Sequence, residues 1–147
     1  MGLSPYRRFL LLSLILFSSL WLSGCIKPKE INGIAFEVKI ENNRIVPDSV
    51  KVKIVPVDLT EYKVPGVDYP PFIAFRGYVI PKENRNTTHS TYWGLVQYKG
   101  TGKYSVVLIT EDGYSPKKGD EVRYYISLRG RNVRWSSSFV SGSAILE

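Results

Sequence analysis

From residue 35 onward the chain alternates apolar and polar side chains. In AFEVKIE (35–41), Phe36, Val38 and Ile40 fall on one side and Glu37, Lys39 and Glu41 on the other. In VKVKIV (50–55), Val50, Val52 and Ile54 alternate with Lys51 and Lys53. In EVRYYISLR (121–129), Val122, Tyr124, Ile126 and Leu128 alternate with Arg123, Tyr125, Ser127 and Arg129. A period of two marks a strand with one buried face. Four further runs are rich in β-branched and aromatic residues: FIAFRGYVI (72–80), TYWGLVQY (91–98), KYSVVLIT (103–110) and FVSGSAIL (139–146). No long helical periodicity competes with them. The pattern predicts about seven strands, with turns at ENN (41–43), KGTGK (99–103) and EDGYSPKKGD (111–120).

Short strands at this spacing predict an all-β fold, a single antiparallel sandwich of immunoglobulin or fibronectin-III type, with a small barrel as the alternative. The stretch YSPKKGDEVRYYISLRG resembles the Pro-x-x-Gly-Asp turn that leads into a late strand of many prokaryotic Ig-like domains. The Cys…Trp…Cys signature of antibody domains is absent, so the resemblance is one of architecture. Two loops interrupt the strands. PVDLTEYKVPGVDYPP (56–71) has too many prolines for a central strand, and PKENRNTTHS (81–90) is polar throughout.

The N-terminus has a different pattern. Arg7 and Arg8 precede an uncharged run, FLLLSLILFSSLWL, from Phe9 to Leu22. A basic start, a short apolar core and small residues at its end are the layout of a secretory signal. The run is shorter than the roughly 20 residues a spanning helix needs. It closes on LSGC (22–25), which resembles the lipobox of prokaryotic lipoproteins. That resemblance implies that Cys25, the single cysteine, receives a diacylglycerol through a thioether and becomes the first residue after cleavage. The expected organisation is a signal peptide over 1–24, a lipidated tether over 25–32 and a β-sandwich over 33–147. The expected location is the extracytoplasmic face of the cell membrane, held by membrane lipid through Cys25.

Composition adjusts this picture modestly. Removing Arg7 and Arg8 with the first 24 residues lowers the net charge from +7 to +5, spread along a length that suits one domain. An exported domain of moderate charge with no recognised nucleic-acid module is not expected to bind nucleic acid. The aromatic content, 13%, is ample for a packed core. One Met, one Cys and one Gln stand beside many Lys, Glu, Ile and Val, a usage that points to a thermophile and, with the lipobox, to an archaeon.

Candidate chemistry is sparse. His89, the sole histidine, lies in TTHS without a nucleophile elbow and reads as a solvated loop residue. Glu111, Asp112 and Asp120 match no calcium-loop spacing. Asp58 and Glu61 are two loop acids without further support as an acid–base pair. No metal or cofactor is expected. Asn86 opens an N-x-[ST] sequon in the polar loop and is a candidate glycosylation site. Arg123, Arg129, Arg131 and Arg134 form a basic stretch that reads as a solvated face or an acidic-partner contact. Among the aromatics between 62 and 98, Trp93 is expected in the core between the sheets. Tyr62 and Tyr69, on the Pro-rich loop, are the candidate partner-binding residues, because a loop stiffened by proline loses less entropy on binding. The expected function is a non-enzymatic binding or structural module for an unknown surface protein or glycan. The alternatives are an accessory subunit of a membrane transporter or secretion complex, and a surface enzyme with no recognisable motif.

Overall fold

A computed structural model describes residues 29–67, 69–131 and 136–147, leaving aside the side chains of 136 and 137. The signal region 1–24, Cys25 and Arg134 lie outside them. The described chain forms nine strands and one 3-10 turn: β1 (Glu30–Glu41), β2 (Arg44–Ile45), the turn Pro47–Ser49, β3 (Lys51–Asp58), β4 (Phe72–Ile80), β5 (His89–Ser90), β6 (Gly94–Gln97), β7 (Gly102–Leu108), β8 (Glu121–Arg129) and β9 (Ser136–Ile145). All pairings are antiparallel, in two sheets. The protein is an all-β sandwich. Among the described residues no helix is long and apolar enough to cross a membrane.

In the smaller sheet β1 is central. β3 pairs with residues 30–37, β2 continues that side through Ile40 and Glu41, and β7 pairs the other side over 34–40. In the larger sheet β4 pairs with β8 along its whole length, with β5 and β6 on its other side, and β9 forms the edge beyond β8. In the immunoglobulin order the second strand lies between the first and the fifth. Here the first strand takes that central place, because the chain turns back at Asn42 and Asn43 to lay β2 and β3 beside it. Both asparagines have positive φ, 51° and 61°, as a two-residue hairpin turn requires.

The core is the inner faces of the two sheets. Ile34, Phe36, Val38 and Ile40 of β1 are at most 1% exposed. They pack against Ile73, Phe75 and Val79 of β4, Val106 and Leu108 of β7, and Val122, Ile126 and Leu128 of β8. Phe36 and Phe75 meet at 6.3 Å, tilted by 44°. Gly77 makes room for this pair, since a Cβ there would lie 2.9 Å from the tip of Phe36.

Two strand boundaries differ from expectation. β1 begins at Glu30, inside the segment assigned to the tether, because Glu30, Ile31 and Asn32 pair with Asp58, Val57 and Pro56. The same pairing draws Pro56–Asp58 out of the Pro-rich loop into β3. Pro56 is tolerated because β3 is an edge strand, so its missing N–H removes no ladder bond on the outer side. Asp58 ends the strand by accepting hydrogen bonds from Thr60 N and Oγ1 at 2.8 and 2.7 Å. That bonding lowers its carboxyl below the usual range, Thr60 being the main cause.

Candidate binding face on the larger sheet

Strand register carries one set of side chains of the larger sheet to the outside. β4 contributes Arg76 and Tyr78, and β8 contributes Arg123, Tyr125 and Ser127. β9 contributes Phe139, Ser141, Ser143 and Ile145. The Arg76 guanidinium carbon lies 5.2 Å from the Tyr78 ring centre and 5.0 Å from that of Trp93. Trp93 meets Tyr125 edge-on at 6.5 Å, and Tyr125 stacks on Phe139 at 6.0 Å. The result is a continuous row, Tyr78–Arg76–Trp93–Tyr125–Phe139, across the sheet. Phe139 is 64% and Trp93 41% exposed. Glu111 comes within 3.8 Å of Arg76. Two buried polar atoms on this face, Arg76 Nε and Ser127 Oγ, have no hydrogen-bond partner among the described residues. Beside the row lies a depression of about 470 Å³ bounded by Tyr78, Arg123, Tyr125, Ser141 and Ser143.

Trp93 therefore does not fill the core, contrary to expectation. Thr91 and Gly94 decide this. Thr91 is wholly buried, bridges Thr110 and accepts a hydrogen bond from Gly77 N at 3.0 Å. Gly94 faces inward against Leu108, where a Cβ would come within 2.7 Å of Leu108 Cδ2. With Gly94 inward, the neighbouring Trp93 is turned outward. The run TYWGLVQY does not reveal this by hydropathy; the glycine following the tryptophan is the available signal.

The two tyrosines of the Pro-rich loop are not brought together. Tyr62 is half-buried, donates to Val107 O on the edge of β7 at 3.3 Å, and has its phenol pushed up, chiefly by burial. Farther on, Leu95 N and Tyr98 N donate to Pro65 O and Pro71 O. The loop thus straps the edges of β7 and β6, and Tyr62 is a fastening within it. Tyr69, beside the cis Pro70–Pro71 bond at the far end of the strap, is 69% exposed.

The PKKGD turn is a structural corner. Asp120 is 3% exposed. Its carboxylate accepts from Tyr114 Oη at 2.7 Å and from the backbone N–H groups of Lys82 and Lys117, both at 2.9 Å. Burial alone would raise its pKa, but the Lys82 amide, the Tyr114 hydroxyl and the Lys117 amide outweigh burial and lower it. Burial, aided by that carboxylate, pushes Tyr114 up to about 12. Contrary to the expected solvated loop residue, His89 stacks on Tyr114 at 4.0 Å, and its Nδ1 lies 2.5 Å from Asp112 Oδ2. The His89 bond holds the Asp112 carboxyl below its usual range. The three acids of this loop thus face three partners, Glu111 to Arg76, Asp112 to His89 and Asp120 to the corner. No group of metal-ligating side chains occurs among the described residues. Asn86 is exposed in the turn closed by Thr87 N and Asn84 O. Arg123 bonds Glu121 at 3.3 Å, while Arg131 stands exposed at the opposite end of the larger sheet.

Comparison with protein-family models, curated proteins and solved structures found no match. A concavity of about 640 Å³ lies on the outer face of the smaller sheet over Ala35, between Lys51, Lys53 and Val55 on one side and Ser105 and Val107 on the other. It arises because the central strand carries a small residue there. Phe36 turns its ring into the core, and the remaining lining is aliphatic stems, Ser105 and the charged Glu37, Lys51 and Lys53, so the concavity offers no exposed ring of the kind the row on the larger sheet presents. Aromatic rings with a cation are the groups that anchor interfaces.

Proposed function

We propose that this chain is an exported, lipid-anchored binding module that acts without catalysis. Its partner is a surface protein or glycan, and the outer face of the larger sheet is the binding surface. The observation that carries the binding reading is the row Tyr78–Arg76–Trp93–Tyr125–Phe139 on the outer face, with Trp93 and Phe139 exposed and the other three half-buried. Rings and a guanidinium at the surface of a rigid sheet lose little entropy when a partner docks. The lipid anchor is supported by LSGC following a short uncharged run. Cys25 stands only five positions before the first residue of β1, so an anchored sandwich would sit close to the bilayer. Two acyl chains suffice for stable anchoring. A sugar on Asn86 would project from the exposed polar loop.

Two measurements test the two halves of this reading. Mass spectrometry of the native N-terminus should find Cys25 acylated and leading the chain; an unmodified Cys25 behind an intact signal contradicts the anchor. For the face, wild type and Trp93→Ala/Tyr125→Ala are compared as baits in solubilised membranes and on a glycan array. The variant should lose the partner or the glycan while keeping its fold, and a variant that binds as wild type does contradicts the assignment.

A further inference from the structure

A sandwich has open edges, and native sheets blunt them with charges, prolines or covering segments. Three of the four edges here are treated that way. β3 carries Lys51, Lys53 and Pro56. β7 carries Lys103 and is fastened by Tyr62 at Val107 O. β5 and β6 are short, and Pro65 O takes the Leu95 N–H. β9 is different. It runs for ten residues, SSSFVSGSAI, with no charge and no proline, and pairs with β8 alone among the described strands. Its start is approached from the smaller sheet, where Ile45 N donates to Ser138 Oγ at 3.2 Å.

We infer that β9 pairs antiparallel with β9 of a second copy of this chain, joining the two larger sheets into one continuous sheet. The register follows from the exposed side chains. Phe139 and Ile145 are 64% and 56% exposed, both on the outer face and at opposite ends of the free stretch. An antiparallel pair centred on Gly142 sets Phe139 of each copy across from Ile145 of the other, and Ser141 across from Ser143. Both exposed apolar side chains then gain an apolar neighbour, two hydroxyls face each other, and no like charges oppose. The same patch serves both copies, as a two-fold contact requires. The axis passes through the sheets, so the smaller sheets of both copies lie in one layer. The dimer also doubles the outer face and brings two aromatic rows into one surface.

The test is the mass of the full chain in detergent, by sedimentation over about a hundredfold range of concentration. The wild type should reach twice the chain mass. Ser141→Lys with Ser143→Lys, which sets lysines across from each other, should weaken association at least about tenfold while the sandwich melts as before. A wild type that stays monomeric throughout overturns the inference, as does a lysine variant that dimerises as the wild type does. A second variant guards against a misfolded first one. Ser141→Cys with Ser143→Cys should give a disulfide-linked dimer under mild oxidation that the wild type does not give, because directly opposed residues of an antiparallel pair lie within disulfide reach. A double-cysteine chain that folds without cross-linking also overturns it.

Discussion

Phe36 and Trp93 show how differently two large aromatics can be used in one sandwich. Phe36 is 1% exposed, between the sheets, against Phe75 and over Gly77. Truncating it to alanine should cost about 3–5 kcal/mol, the range for a large aromatic lost from a core. Trp93 is 41% exposed and held by Arg76 and Tyr125. Trp93→Ala loses only those surface contacts, so it should cost no more than about 1–2 kcal/mol. Chemical denaturation of the two variants checks the contrast; equal losses would return Trp93 to the core. Asp120 carries a second residue-scale expectation. Its folded pKa is depressed, so its stabilisation is complete above the unfolded value, about 3.9, and is lost as pH falls through the folded value below it. Asp120→Ala should cost about 3 kcal/mol at neutral pH, because buried donors lose their acceptor. The gap between wild type and variant should narrow as pH falls below about 3.9. A gap that stays constant through that fall would contradict the assignment.

Elements were legible where one face is buried. The alternation in AFEVKIE, VKVKIV and EVRYYISLR places inward the residues that the structure packs into or against the core, Val50, Val52, Ile54 and Tyr124 only half-buried, because a one-residue slip would turn the whole apolar set to water. Ser127, read as outward, is buried all the same. What periodicity could not show is pairing between distant segments. Glu30–Asn32 look like a polar tether until Pro56–Asp58 lie beside them. His89 looks solvated until Tyr114 arrives from the 109–120 loop. The aromatic row draws on three strands and a loop, so no single stretch of sequence displays it. The strap divides Tyr62 from Tyr69 for the same reason, since its far contacts, Val107 and Leu95, belong to other elements. Tyr62→Ser should lower the melting temperature by releasing the strap from β7. Tyr69→Ser, at a side chain 69% exposed, should leave it unchanged. Thermal melts of the two single variants check this, and equal shifts would mean that the strap is not fastened at Tyr62.

At the scale of the whole molecule, a single sandwich presents a ring-and-guanidinium face outward on its larger sheet, with an uncharged edge strand beside that face. The segment preceding its first strand carries Cys25 in LSGC, which resembles a lipobox. On the proposed reading, these features make a surface-held module whose recognition chemistry lies on a sheet rather than at loop tips. Oxidative footprinting of the chain in its native membrane, set against the purified chain, tests the central claim whatever the partner is. The account predicts that Trp93 and Tyr125 become protected in the membrane while Tyr69 reacts equally in both. Trp93 and Tyr125 as reactive in the membrane as in the purified chain would contradict it.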